Sequence, residues 1–515
     1  MKKLLNLVVL SLLLLSGMIH EGCSKEELNM SGETFTSWPE YNPTIYYDFK
    51  SDYPDFTMPT ANLPYTAPNM GWIMQDGWWS FFAGRNANPL VTPAAVTPLL
   101  KKLNSDFGYI RDVMGWPPDK AARNGFRSAV FLYGSGLTTD NASNTDKGGW
   151  QSAVNIKGVT YPMILLSYYP VYCFDPACTY SDTAYQTNGV IHEGIHAIFA
   201  SMPGAGYKSW FHEGCNVWLQ STMQFERTNG DNYTSDSFGW LAMGSILAPF
   251  IPVECYSGWL ADGSFGGPDA EGVNNNFRKI IGGVQYSEVF PTFLGEILGE
   301  KSIPWIWQNC TKHVLEGIGE ELGKEQMQRL IQEYRARLCL ADFKRYSLAV
   351  KNMYETYMGT VIESDVAGVT ITAWKATPYA STTEGDDGWL IPEERTLPGW
   401  TGANIIPIAV DGDQVTVSFK PSGTLSTTDN MSCQLCYRTG DGTTVYGTPF
   451  SKGSYTMAFD SYKPVNNIVF AVVCNLDYVY TTDIRKNHFD YRLKLSPNAK
   501  AANIYRRYFS DFVLN

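Results

Sequence analysis

The sequence predicts an α+β fold, in which a small mixed sheet and its helices lead into a helical part and then into a C-terminal β-sandwich. Helical apolar periodicity extends from about residue 235 to residue 358, whereas β-prone runs dominate after about residue 360. The length of 515 residues is too great for a single hydrophobic core. We therefore expect four segments: an amino-terminal leader (1–22), a tether and N-terminal extension (23–69), a region of mixed sheet and helices (70–358) and a C-terminal β-sandwich-like domain (359–515).

The mixed sheet is expected before residue 170. The aromatic-rich run 70–85 predicts a strand, and further strands are predicted at 128–133 and 161–169. Between these runs, Thr92 and Pro93 predict the start of a helix, because threonine caps helices and proline fits the first turn.

The second half of the chain changes from helical to β-prone texture. Long amphipathic helices are predicted at 285–298 and 325–340. Strands are predicted at 369–374, 415–419 and 468–472, at a spacing that suggests a sandwich.

One short motif points to a metal. His192 and His196 are four residues apart, so on a helix their imidazoles lie on one face and aim at one point. Glu193 is rotated by about 100° from His192, which places it beside a metal rather than on it. Glu213 is the candidate third ligand, on a second helix. A catalytic zinc ion takes three protein ligands and leaves a fourth position for water, which a glutamate can activate.

The motif at 192–196 (His-Glu-Gly-Ile-His) and the motif at 210–214 (Trp-Phe-His-Glu-Gly) resemble those of the gluzincin metallopeptidases, especially the M1 aminopeptidase group. The resemblance covers roughly residues 75 to 310 and implies a zincin-like catalytic domain that hydrolyses peptide bonds with Zn²⁺. By the same resemblance, Tyr286 stabilises the oxyanion, and Tyr256 is the second choice for this role.

The departures from the family pattern concern substrate recognition. The family's Gly-x-Met-Glu-Asn strand, which binds a free amino terminus, has no counterpart, so endopeptidase action on extracellular protein or glycoprotein is favoured. The run 161–169 stands in its place as the candidate edge strand for an extended peptide, with Leu165 and Ser167 as substrate contacts. His212 either lines the cleft or donates a proton, and Asn216 is the candidate residue for orienting a ligand histidine.

The amino-terminal segment predicts export. Two lysines followed by a short leucine-rich run resemble a signal peptide over residues 1–22, and the Gly22-Cys23 junction resembles a bacterial lipoprotein cleavage site. We expect a lipid on Cys23 and a location at the outer membrane or cell surface, with ordinary secretion as the alternative. The formal net charge of −12 argues against nucleic acid as a partner.

The cysteines predict one local bridge. Cys173 and Cys178 flank a turn-like segment and are the most plausible pair in an exported protein. Cys433 and Cys436 resemble a metal or redox pair, but on a strand an offset of three points them to opposite faces.

Two alternatives to an enzyme remain open. One is a surface lipoprotein that binds glycan or peptide and carries a degenerate motif. The other is a structural zinc protein in which a fourth side chain, His212 being the natural candidate, closes the coordination sphere.

Overall fold

The structure is a computed structural model of the chain, and two helices beside its mixed sheet carry the predicted metal motif. It describes the following residues: 34–35, 38, 40–41, 44–52, 56–140, 148–204, 209–230, 244–247, 249–250, 252–254, 288–352, 379–422, 430–459, 462–479, 489–503 and 509–514.

A five-stranded mixed sheet forms from the first part of the chain. The strands of this sheet are β2 (Met70–Asp76), β3 (Trp79–Gly84), β4 (Ser128–Leu132), β5 (Gly149–Ile156) and β6 (Val159–Leu166). The first strand of the chain, β1 (Thr34–Phe35), belongs to a C-terminal sheet. The strand order is β2-β3-β4-β6-β5, with parallel pairs at β3/β4 and β4/β6 and antiparallel pairs at both ends. The run 70–85 is therefore a hairpin rather than one strand, because Gly77 adopts a positive φ of 48° and reverses the chain.

The edge strand differs from the one expected. β6, within the run 161–169, pairs with β4 on one side and β5 on the other, so it lies inside the sheet. Over the described residues the end strands are β2 and β5, and a two-residue turn at Lys157 and Gly158 joins β5 to β6; the name free edge refers to β5 below. The last two residues of the same run, 168 and 169, begin a short helix that extends to Tyr172.

The longer helices cover one face of this sheet, and shorter segments cover the other. The helices of this part are α1 (Pro93–Asp112), α2 (Lys120–Arg123), α3 (Tyr168–Tyr172), α4 (Thr183–Phe199) and α5 (Ser209–Arg227). α4 packs on β5 and β6, and α5 packs on α4. α1 begins at the predicted Pro93, although the Thr92 side chain makes no capping hydrogen bond.

A helical part follows, with α6 (Gly244–Leu247), α7 (Val289–Ile297), α8 (Ser302–Asn309), α9 (Val314–Leu322) and α10 (Lys324–Leu340). The helices predicted at 285–298 and 325–340 are confirmed as α7 and α10 over the residues that the structure describes. α7 packs on α5 and α10 packs on the C-terminal strands, so the helical part connects the two sheet regions.

The C-terminal region contains two antiparallel sheets. Their strands are β7 (Thr382–Glu384), β8 (Leu390–Pro392), β9 (Ala403–Val410), β10 (Gln414–Pro421), β11 (Met431–Arg438), β12 (Thr444–Gly447), β13 (Gly453–Ala458), β14 (Ile468–Asn475), β15 (Tyr491–Leu495) and β16 (Ala499–Ala501). The orders are β1-β12-β11-β14-β9-β16 and β13-β10-β15-β8-β7. Apolar side chains of both sheets share one core, so the sheets face each other as predicted. The strands predicted at 415–419 and 468–472 are confirmed within β10 and β14, and the run 369–374 lies outside the described residues.

α10 turns this sandwich into a three-layer arrangement. It covers the outer face of the six-stranded sheet, and Cys436 of β11 belongs to the core on that side, whereas Cys433 belongs to the core between the sheets. The two cysteines therefore point to opposite faces, as the strand offset predicts.

The structure bears on two further expectations, the tether at 23–69 and the bridge between Cys173 and Cys178. Part of the segment 23–69 is packed against the folded regions, since Thr34–Phe35 pairs with β12 and the Tyr41 hydroxyl donates to Glu333 at 2.7 Å. Cys173 and Cys178 are free thiols, so the predicted bridge is not formed. Among the described residues, no helix combines the length and the apolar character that crossing a membrane requires.

Candidate metal centre

Two helices in close contact form the framework of the site. α4 carries the first motif and α5 carries Glu213. Gly194 lies where α4 crosses α1, and a Cβ there would stand 2.4 Å from the Phe107 ring. The glycine inside the motif is thus a packing requirement that lets α4 approach its neighbour closely.

Buried amides fix the register between α4 and α5. Asn216 Nδ2 donates to the backbone carbonyl of His192 at 2.7 Å, and Gln220 Nε2 donates to that of Asn188 at 3.1 Å. Donors one turn apart on α5 therefore reach carbonyls one turn apart on α4. Asn216 thus contacts His192 at its backbone carbonyl, and the expectation that Asn216 orients the imidazole ring stays a prediction.

Three potential ligand atoms converge between the helices. His192 Nε2 and His196 Nε2 are 3.0 Å apart, and each lies 3.1 Å from Glu213 Oε2. The ligand atoms of a tetrahedral zinc ion, with bonds of about 2.0–2.1 Å, are separated by about 3.3 Å. The triangle is thus close to the base of a zinc tetrahedron, and these three residues form a group suited to holding a metal ion.

Hydrogen bonds alone do not satisfy all three atoms of this triangle. If both histidines carry a proton on Nε2 and donate to Glu213, their two N–H groups face each other at 3.0 Å. If neither does, three lone pairs converge in a site where His192 and His196 are 2% and 5% exposed. A cation bound to all three atoms relieves these contacts at once, so the donor set suits a metal ion.

The electrostatics of Glu213 agree with this geometry. Burial by itself raises the pKa of this carboxyl, but the hydrogen bonds and charges of His192 and His196 outweigh burial and hold the pKa well below its usual range. Glu213 is therefore ionised at neutral pH, which is the form that binds a metal.

Glu193 lies beside the triangle and contacts the sheet edge. Its Oε2 accepts a hydrogen bond from the backbone N–H of Gln151 in β5 at 2.6 Å. Burial raises the pKa of Glu193 to about 7; the charge of Glu213 also raises it, while His196 and the Gln151 amide lower it. A carboxylate with a fixed orientation next to a metal position can act as a proton acceptor.

His212 contacts the metal-ligand group through its ring, and the expectation that it lines the cleft or donates a proton stays a prediction. Its ring stacks on His196, with centroids 4.5 Å apart and planes inclined by 17°, and it also contacts Phe199 and Trp307. An imidazole binds a metal in the plane of its ring, so two rings in a parallel stack cannot both aim at one ion. His212 therefore fixes the orientation of His196, and within the described part of the chain no fourth ligand joins the group.

Two predicted substrate contacts are not near a cleft. Leu165 is 1% exposed and belongs to the core on the face of the sheet opposite α4. Ser167 is 2% exposed and precedes α3, and its backbone N–H donates to Gly148. Both expectations are wrong, because β6 is an interior strand. Tyr256, Tyr286 and Cys23 lie outside the described residues.

Gln151 is the residue that the sequence reasoning missed. The strand that carries it is followed by the turn at Lys157 and Gly158 and then by β6, and this arrangement was the available signal for a hairpin. Cys215, two residues after Glu213, is buried and accepts a hydrogen bond from the Trp307 indole at 3.2 Å.

Comparison with models of known protein families, with curated proteins and with solved structures found no match.

Proposed function

We propose that this chain is a zinc-dependent endopeptidase of the gluzincin type, with a zincin-like catalytic domain. The observation that carries the proposal is the triangle of His192, His196 and Glu213 with Glu193 beside it. A protein that needs only structural support from these helices gains nothing from three converging acceptors next to a buried carboxyl.

The roles of the residues follow from their positions. His192, His196 and Glu213 would hold the ion, and a bound zinc ion supplies Lewis-acid polarisation of the scissile carbonyl and lowers the pKa of water. Glu193 takes a proton from the attacking water and later passes it to the leaving amine. The Gln151 amide keeps the Glu193 carboxylate turned towards the free edge of the sheet. Stabilisation of the oxyanion by Tyr286, or by Tyr256 as second choice, stays a prediction.

An extended polypeptide suits the surroundings of the site. β5 is the end strand of its sheet, and Ser167 N–H donates to Gly148 carbonyl at 3.0 Å. By the alternation of an antiparallel ladder, the backbone groups of residues 149, 151 and 153 therefore point away from β6. A substrate strand can add to this edge and bring a peptide bond next to Glu193.

The test is zinc content together with cleavage of a mixed peptide library, for the wild type beside Glu193→Gln. We expect one zinc per chain in both proteins and cleavage by the wild type alone, because the substitution removes the proton acceptor and no ligand. Zinc in both without cleavage by either would favour a glycan- or peptide-binding lipoprotein. Absence of zinc from both would overturn the site itself.

We also propose that the protein is exported and held to the outer membrane by a lipid on Cys23, where its substrates are protein or glycoprotein and not nucleic acid. The support is the lipoprotein-like junction at Gly22-Cys23. Metabolic labelling with a radioactive fatty acid should mark the wild type and leave Cys23→Ser unlabelled. Equal labelling of both proteins would contradict the anchor.

A further inference from the structure

A cavity of about 690 Å³ extends along the free edge of β5, beyond the point where Gln151 contacts Glu193. Residues 152–156 of β5 and the following Lys157 all line it. Successive side chains of a strand point to opposite faces, so a cavity that touches all of them lies at the edge of the sheet and not on one face. The cavity therefore continues the edge on which the proposed substrate strand would pair.

The backbone of β5 presents hydrogen-bonding groups to this edge. Ser167 N–H donates to Gly148 carbonyl, so the alternation that turns residue 151 away from β6 also turns residues 153 and 155 away from it. A polypeptide that pairs with β5 beside Glu193 continues past these residues. Its next side chains therefore lie along the cavity.

Two loops form the wall opposite β5, and one tyrosine joins them. The loops are 64–66 and 138–140. The Tyr65 hydroxyl accepts a hydrogen bond from Thr138 N–H at 3.0 Å and lies 2.9 Å from Thr138 Oγ1. The Tyr65 ring packs edge to face against Phe131, with centroids 4.9 Å apart. The core thus fixes this wall before a ligand arrives, which lowers the entropic cost of binding.

The lining of the cavity is polar and its charges balance. Among the described residues that line it, Asp140 is the one acid and Lys157 the one base. An apolar ligand would leave polar groups unpaired, and an ion would meet no net counter-charge, so the lining favours an uncharged ligand with many hydroxyl groups. The remaining polar lining consists of hydroxyls and one amide: Tyr65, Thr66, Thr138, Thr139, Ser152 and Asn155.

The volume distinguishes a sugar chain from an amino acid side chain. A cavity of about 150 Å³ is enough to hold benzene, which has the size of a phenylalanine ring. The cavity beside β5 is several times larger and lies within the range of about 300–1,000 Å³ that small-molecule sites occupy. A single substrate side chain would leave most of it filled with water, whereas a short sugar chain fills it.

We propose that this cavity binds a neutral glycan carried by the polypeptide that pairs with β5. The inference rests on the proposed function, because it narrows the substrate class of the same site to glycoprotein. Sugar hydroxyls both donate and accept hydrogen bonds, so they match a lining of hydroxyl and amide groups without net charge. The bound glycan holds the polypeptide in position beside Glu193 and adds affinity on one side of the reacting bond.

The experiment compares peptides that differ only in one modification. Zinc-loaded Glu193→Gln is titrated with threonine peptides that are unmodified, that carry phosphate, or that carry one of a panel of neutral mono- and disaccharides built on N-acetylgalactosamine, mannose and fucose. The modified threonine is placed at each position in turn. At one position we expect a neutral sugar to tighten binding by about 10- to 100-fold, the gain from two or three hydrogen bonds, and phosphate to give no gain. The wild type should cleave the same glycopeptide with the higher kcat/KM.

Thr66→Trp tests the cavity itself. Thr66 is exposed where it lines the cavity, and an indole there fills part of the space that the glycan needs. The variant should lose the gain from the sugar and keep the wild-type affinity for the unmodified peptide. Thr60→Trp is the matched control, since it places the same ring at an exposed position of the same amino-terminal segment outside this cavity. Ser152→Ala removes one lining hydroxyl and should reduce the gain by about 2- to 10-fold, which keeps the test open if Thr66→Trp does not fold.

The outcomes separate the two proposals. Equal binding of modified and unmodified peptides, an equal gain from phosphate, or a gain that Thr66→Trp leaves intact would overturn the glycan site, and cleavage of unmodified peptides would leave the peptidase standing. Preferential binding of glycopeptides without cleavage by the wild type would support the glycan site and overturn the peptidase. No binding of any peptide would overturn both.

Discussion

The metal-ligand group and the C-terminal region both bury polar side chains, and the contacts described here differ between them. On the α10-facing side of the six-stranded sheet, buried Arg438 donates to the carbonyls of Leu340 and Gly442, and between the two sheets the Tyr491 hydroxyl donates to Asn404 Oδ1 at 2.8 Å. In the metal-ligand group, two imidazole nitrogens and one carboxylate oxygen share a triangle that protons satisfy poorly. The first pattern stabilises a fold, whereas the second leaves room for a cation.

The largest difference between the regions should appear when a ligand histidine is removed. His196→Ala should reduce zinc affinity by roughly 100-fold or more, since even the loss of an outer partner of a ligand costs about 10- to 100-fold. Zinc content after dialysis, with isothermal titration, measures this loss, and peptide cleavage should disappear with the metal.

The control for that variant is His313→Ala. His313 also bonds a carboxylate, Glu254, at 3.0 Å, but without a second histidine, so it resembles the sandwich rather than the site. Full zinc content is expected. Loss of zinc from His313→Ala, or full zinc content in His196→Ala, would contradict the proposed difference between the metal-ligand group and an ordinary histidine–carboxylate contact.

A smaller effect is expected at the sheet edge. Gln151→Pro deletes the N–H that holds Glu193, and its free-edge position tolerates proline. Loss of a hydrogen bond to a charged group, about 1.5–3 kcal/mol, corresponds to a fall in kcat of about 10- to 100-fold. Steady-state kinetics should show the change in kcat, with zinc content preserved.

Ala153→Pro is the matched control for the edge. It removes the next outward N–H of β5 and leaves the Gln151–Glu193 bond in place, so a change in KM with unchanged kcat is expected. A fall in kcat equal to that of Gln151→Pro would assign the effect to the strand and not to Glu193.

The stacking of His212 on His196 should contribute less to zinc affinity than the ligand His196 itself. His212→Ala should weaken zinc binding by about 2- to 10-fold, the range that corresponds to an aromatic contact of about 0.5–1.5 kcal/mol. His212→Phe keeps a flat ring and should restore most of the affinity. If phenylalanine behaves like alanine, then the imidazole, and with it a ligand or proton-donor role, matters instead.

The site should be least sensitive to damage in the sandwich. Arg438→Ala leaves the last carbonyls of α10 without their donor and should lower the free energy of unfolding by about 2–5 kcal/mol. Urea denaturation measures the loss. Zinc content below the melting transition should stay at the wild-type level, and a proportional loss of zinc would show that the two regions are coupled.

The sequence predicted the residues of the metal-ligand group but not the strand that lies at the edge beside it. The spacing of His192 and His196, together with the later Glu213, was sufficient to predict which three side chains converge. Helix geometry places two residues that are four apart on a shared face. The prediction of the edge strand was wrong, because a β-prone run does not show whether the strand pairs with one neighbouring strand or with two. β6 was chosen for its apolar residues, and those residues are the signature of an interior strand.

By itself, the sequence determined the α+β class, the long helices, the antiparallel C-terminal strands and the identity of the three converging residues. These depend on local periodicity and on short-range spacing, which the chain carries in every conformation. The tertiary structure decided the free edge at β5, the contact of Gln151 with Glu193 and the stacking of His212 on His196. Each joins residues that are distant in the chain, so only the packing of α4 and α5 around the sheet brings them together.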